Sequence, residues 1–189
     1  AFDPGHAGAR GARDVSLRAL NLAAPQPLRS ERSERTTRAA AALERGDAHL
    51  AASRLAEALA SYDEAEAVMP QDARAAHKRG VALLRLSRHE DALAAFDKAL
   101  AIAPDTIETL AERGNVLLWL GRTPEAALCF ERVLAAEPRH VAALMGRGTA
   151  LERLDRPAGA LACYDRALTM KADPVIVQNL RGQVLMRLG

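Results

Sequence analysis

Apolar and polar positions along the chain repeat with a single period of thirty-four residues. Each unit carries an alanine, an aromatic ring four residues on and a small apolar residue three further: Ala58, Tyr62 and Ala65; Ala92, Phe96 and Ala99; Ala126, Phe130 and Val133; Ala160, Tyr164 and Ala167. Steps of four and three put these side chains on one face of a helix. Twelve residues before each alanine stands Arg-Gly, as Arg45-Gly46, Arg79-Gly80, Arg113-Gly114 and Arg147-Gly148, and Arg181-Gly182 follows at the same interval. Pro70, Pro104 and Pro138 recur in the same phase. In the fourth unit Ala172 takes that slot and Pro174 falls two residues late, so the fourth turn between units is expected to differ in shape.

Each unit reads as two helices. The glycine marks the point where the first helix crosses its partner too closely for a side chain, which offsets its helix penalty of about 1 kcal/mol. Proline ends the second helix by removing a donor and restricting the residue before it. Pro124 and Pro157 fall in the opening turn of a second helix, where the missing donor costs nothing. The pattern predicts an all-α protein with nine repeat helices. Breaks are expected near Ser53, Ser87, Gly121 and Asp155 within units and near Pro70, Pro104, Pro138 and Pro174 between them.

Gly, Ala, aromatic, Ala and Pro at these offsets resemble the tetratricopeptide repeat family, and the phrases Phe96-Asp97-Lys98-Ala99-Leu100 and Tyr164-Asp165-Arg166-Ala167-Leu168 resemble bacterial arrays. The resemblance implies an α-solenoid, a right-handed superhelix of helix-turn-helix units at 39–72, 73–106, 107–140 and 141–174, with a half unit at 175–189. The half unit keeps Leu180, Val184, Leu185 and Leu188 in place of a polar cap, so the natural chain is expected to continue past Gly189. Residues 1–38 lie outside the repeat. Pro4, Gly5, Gly8, Gly11, Pro25 and Pro27 argue against one continuous helix there. The segment reads as a linker, or as a tail whose apolar stretch Val15–Ala24 packs on the array or in its groove. Arg29, Arg32, Arg35 and Arg38, alternating with Glu31 and Glu34, suit the solvated face of a helix entering the first unit.

Composition narrows the function. With 26 basic against 24 acidic side chains the net charge is +2, too balanced for a phosphate-binding surface, so no nucleic-acid partner is expected. No run approaches the roughly 18 apolar residues of a membrane helix, so no membrane insertion is expected. The cytoplasm is the natural compartment, with the periplasm open because a chain starting at Ala1 is compatible with a removed leader.

Nothing in the sequence assembles a catalytic site. The five histidines occupy unrelated repeat phases, no Cys-x-x-Cys or phosphate-binding glycine loop occurs, and no cofactor or metal is expected. Cys129 and Cys163 stand in the same phase of adjacent second helices. Such positions lie about 8–10 Å apart, beyond the roughly 7 Å that a disulfide allows. Both read as buried structural residues.

A second set of positions in step is ionic: Arg45, Arg79, Arg113, Arg147 and Arg181 alongside Asp63, Asp97, Glu131 and Asp165. One reading pairs Arg79 with Asp63 and Arg113 with Asp97, each mostly covered by neighbours; the other makes the arginines a row that grips an acidic ligand.

In the family the first helices line a concave groove that holds a peptide or partner protein, so the resemblance implies a protein-binding scaffold without enzymatic activity. Carried over, the groove places are Arg74, His77, Val81, Leu84 and Arg85; Glu108, Ala111, Asn115, Leu118 and Trp119; Met145, Thr149, Glu152 and Arg153; and Asn179, Gln183 and Met186. Trp119 stands where other units have Ala51, Arg85, Arg153 and Arg187. It reads either as a wedge between first helices or as an anchor for a peptide with apolar and acidic side chains. Self-association through the groove, the tail or the uncapped last helix is a further expectation. The alternative is the substrate-recognition arm of a larger bacterial O-GlcNAc-transferase-like glycosyltransferase. The row Asp47, Val81, Asn115, Thr149, Gln183 stands where such arms carry asparagines; it is polar in four of five places but is not that row.

Overall fold

The computed structural model describes residues 26–170 and 172–188, with side chains from Ser30 onward. Nine helices follow one another among them: α1 Gln26–Ala51, α2 Leu55–Val68, α3 Ala73–Arg85, α4 His89–Ile102, α5 Ile107–Trp119, α6 Thr123–Ala136, α7 Val141–Arg153, α8 Pro157–Thr169 and α9 Pro174–Leu188. The stretch Val15–Ala24 lies outside the described residues.

The turn inside each unit is one motif used four times. Ser53, Ser87, Gly121 and Asp155 take left-handed φ values of 57–73°. Just beyond them, the amides of Arg54, Arg88, Arg122 and Arg156 reach back to the carbonyls of His49, Leu83, Leu117 and Leu151, closing the first helix with a Schellman-type bond. Between units the first three turns share another shape: Met69, Ala103 and Glu137, each before a proline, leave the helical region with φ between −125° and −133° and ψ between 80° and 86°. The fourth differs, as its displaced proline predicts. Met170 stays near the helical region at φ −94°, ψ 16°, and Ala172 donates to the carbonyl of Ala167. Asp173 then caps α9 by accepting from the Val175 amide at 2.9 Å, with Pro174 in the first turn.

Helix α1 crosses the 38/39 boundary without a break. Ser30–Ala41 holds no glycine or proline, and Thr36 and Thr37 bond back to the carbonyls of Arg32 and Ser33 within the helix. Pro27 lies in its opening turn, where proline is tolerated.

The core is a row of rings set against glycines. Tyr62, Phe96, Phe130 and Tyr164 are at most 1% exposed. A Cβ on Gly80 would lie 2.6 Å from the Phe96 ring, and one on Gly114 would lie 2.8 Å from Phe130. The rings therefore need the missing side chain to reach the first helix of their own unit. Phe130 also lies against Gly146 of the next unit, where a Cβ would overlap its ring.

Each helix packs on its successor. Successive first helices (α3 with α5, α5 with α7, α7 with α9) also approach one another more closely than second helices do. A stack joined this way curves with its first helices inside. The last helix buries only Val177 and Val184 and leaves Val175, Ile176, Leu185, Met186 and Leu188 half or more exposed.

Candidate functional site

The inner face is lined by α3, α5, α7 and α9. Of the groove places, Arg74, Arg85, Glu108, Trp119, Arg153, Asn179, Gln183 and Met186 are exposed. His77, Val81, Leu84, Asn115, Met145, Thr149 and Glu152 are half-buried. Ala111 and Leu118 are buried and belong to the floor.

One depression opens where three first helices meet, lined by Leu84 of α3, Glu112, Asn115, Leu118 and Trp119 of α5, and Arg153 of α7. Trp119 is 74% exposed, so it does not wedge between first helices. It lies flat on the imidazole of His89, the first residue of α4, with ring centroids 5.7 Å apart and planes 6° from parallel. The two rings run parallel but offset, and most of the indole's surface stays open to solvent.

The arginines beside Trp119 are engaged, contrary to a groove in which they wait for an acidic ligand. Arg85 donates to the carbonyl of Leu50 at 3.1 Å, Arg153 to that of Leu118, and Arg187 to that of Glu152 at 3.4 Å. Each ties the end of one first helix to the end of the preceding one, where a cation meets the negative end of the helix dipole. The signal was in the sequence: arginine recurs in one phase of three units, one residue beyond the carbonyl's own phase.

The other arginine series lies against the carboxylates of the preceding second helices. Arg79 is 2.7 Å from Asp63, Arg113 2.6 Å from Asp97, Arg147 3.0 Å from Glu131 and Arg181 2.8 Å from Asp165, the last an ion contact without hydrogen-bond alignment. The expectation of mostly covered pairs needs correction. The four carboxylates are 48–58% exposed because they sit at the rim of the second helices. Exposed pairs of this kind contribute less than about 1 kcal/mol each. Arg45, in α1, instead meets Glu64 of α2, which Arg38 also holds at 3.2 Å; the bond from Arg38, then the Arg45 charge, keeps that carboxyl below its usual range. Arg113 reaches further, to the sulfur of Cys129 at 3.0 Å. Both thiols are buried and unbridged.

Two of the four polar residues in the row Asp47, Val81, Asn115, Thr149, Gln183 are committed within the protein. Asp47 takes the Tyr62 hydroxyl at 2.9 Å and the Lys78 ammonium at 2.8 Å. Burial first, and this bond second, push the Tyr62 phenol well above its ordinary pKa. Thr149 donates to the carbonyl of Met145 at 3.1 Å. Asn115 and Gln183 make no side-chain hydrogen bond among the described residues.

His77 is half-buried, with Nδ1 2.9 Å from the Thr109 hydroxyl and its ring tilted against Phe96 at 5.7 Å. Burial lowers its pKa, while the carboxylates of Glu112 and Glu108 pull the other way. The unfolded chain takes a proton near the ordinary histidine value of about 6.5. The folded state resists, so His77 contributes stability that is present above that value and is lost as pH falls toward the depressed folded pKa. Denaturation midpoints at pH 7 and pH 5 are expected to differ less in His77→Gln than in the wild type.

Among the described residues, no three His, Cys, Asp or Glu side chains gather to hold a metal ion, and no helix is long and apolar enough to cross a membrane. The geometry defines an α-solenoid of stacked helix pairs whose inner face is open along its length. The chain belongs to the tetratricopeptide repeat family, whose model matches residues 43–106 and 112–175.

No curated protein matches the sequence. Among solved structures, the chain is similar to MamA from Desulfovibrio magneticus RS-1, at 22% identity over 79% of this chain and 85% of that one, with a TM-score of 0.76. It is similar to YrrB, described as a TPR protein with an unusual peptide-binding site, at 20% identity over 78% and 76% of the two chains, with a TM-score of 0.70. A third is the first TPR of Spaghetti (RPAP3) bound to the HSP90 peptide SRMEEVD, at 23% identity over 63% and 94%, with a TM-score of 0.62. At these identities the likeness is one of fold.

Proposed function

We propose that this chain is a scaffold that holds a segment of a partner polypeptide along the inner face of its first helices, with Trp119 as the principal anchor. The supporting observation is that the only tryptophan stands 74% exposed beside a depression floored by Leu84 and Leu118. Exposed aromatic area at the edge of an apolar hollow is characteristic of binding surfaces, and tryptophan is enriched among the few residues that dominate their affinity. The free amide of Asn115 in the same hollow supplies a donor and an acceptor for a passing backbone. That YrrB and the Spaghetti domain are described with peptides supports the reading by analogy of fold.

Trp119→Ala tests it against peptides selected on the wild-type array. The expected result is a loss of affinity of tenfold or more, equal to about 1.4 kcal/mol, with an unchanged melting temperature. Unchanged binding would remove Trp119 as the anchor.

A further inference from the structure

Four carbonyls occupy the same place at the ends of successive first helices: those of Leu50, Leu84, Leu118 and Glu152. Each accepts the amide of the turn that follows, from Ser53, Ser87, Gly121 and Asp155 respectively. Three also accept a guanidinium from the next unit, that of Arg85, Arg153 or Arg187. The carbonyl of Leu84 has no such donor among the described residues, because Trp119 stands where the arginine would, and its indole lies on His89. A carbonyl oxygen has two lone pairs, and one of Leu84's is left without a side-chain donor at the negative end of α3.

The surroundings of that place suit a cation. Leu84 and Trp119 border the depression described above, and so does Glu112, which makes no ion pair among the described residues. The outward surface of the indole offers a ring for a planar cation to stack on. Arg153, the one basic group of the depression, has its guanidinium on the Leu118 carbonyl. Neighbouring cations are compatible here, since Arg153 and Arg187 fill consecutive positions of the series. Guanidinium fits better than ammonium because it can donate to the carbonyl and lie flat on the ring at once.

We infer that the depression beside Trp119 is a guanidinium subsite: it receives an arginine side chain of the bound polypeptide, which completes on Leu84 the contact that Arg85, Arg153 and Arg187 complete within the chain. The inference rests on the scaffold reading above and names the chemistry that the scaffold selects. It reverses the sign of charge expected from the sequence, where Trp119 reads as an anchor for a peptide with apolar and acidic side chains.

Because Trp119 is the only tryptophan, its fluorescence reports occupancy directly. Three N-acetylated heptapeptide amides identical but for the central residue, with leucine two places to either side, serve as probes: arginine, glutamine and glutamate at the centre. The arginine peptide is expected to give a saturable change at a concentration at least tenfold below the glutamine peptide, and the glutamate peptide to bind weakest. In Trp119→Arg the series is filled from within. Followed by anisotropy of the labelled peptides, that variant is expected to lose the preference for arginine while melting no lower than the wild type. Peptides that bind alike, or a preference for glutamate, would overturn the subsite and leave the scaffold reading standing. Failure of all three to bind up to millimolar concentration would count against both. A preference for arginine that survives in Trp119→Arg would place the subsite elsewhere and end this inference.

Discussion

Phe130→Ala is expected to destabilise the array by about 3–5 kcal/mol, the range for deleting a buried aromatic side chain. Its ring is 1% exposed and lies against two glycines, Gly114 in its own unit and Gly146 in the next. Neither has a side chain that could turn into the space left behind. The void is therefore expected to persist, and residual cavity volume is what drives such losses to the upper part of their range. Because each unit is stabilised by its neighbours, damage at the third weakens the junction on both sides. Urea unfolding followed by circular dichroism measures the loss, with a second, earlier transition expected in the variant. A loss below about 1 kcal/mol would mean that the glycine–ring contacts do not hold the units together.

Gly114→Val is the complementary change, and it is expected to cost about 3 kcal/mol, the upper end for overpacking. Valine propagates a helix better than glycine, so propensity alone predicts a gain of a few tenths of a kcal/mol. Space decides otherwise. Even a bare Cβ at this position would lie 2.8 Å from two atoms of the Phe130 ring, and the ring is enclosed. The sign is expected to reverse when Phe130 is already alanine, since the same methyl groups then fill the vacated volume. The double-mutant cycle across Gly114 and Phe130 reads this coupling directly. Additivity of the two changes would sink the argument.

The architecture could be read from the sequence because a repeat confronts the same packing problem several times and answers it with the same residues. One Gly-to-ring distance of sixteen residues, kept in four units, defines both helices and the crossing between them. The displaced Pro174 even marked the turn that differs. The inner face was less legible. Position in the repeat says which way a residue faces, yet it does not say what its end atoms reach. The repeat phase puts Arg85 and Arg153 at the same place in their first helices, but a guanidinium is long enough to reach a carbonyl one unit away, and that partner has no side-chain signature. The degree of exposure of Asp63 and Asp97 was hidden for a similar reason: it depends on where the rim of the stack falls, not on spacing. Trp119 showed itself only as an exception to its column, and the stacking on His89 joins two positions with no common phase.

Among the described residues, the side-chain hydrogen bonds between units reach back at most 35 positions. For a chain leaving the ribosome this sets a schedule. Each new unit finds partners in the one just made and is completed by the one that follows, so no part of it has to wait for a distant segment. At roughly 5–20 residues per second, a unit is completed about every 2–7 seconds. Helices form in about a microsecond and local docking is fast by comparison, so synthesis is the slow step. Nascent apolar faces such as those of α4 and α6 are then exposed for no longer than the translation of the next helix.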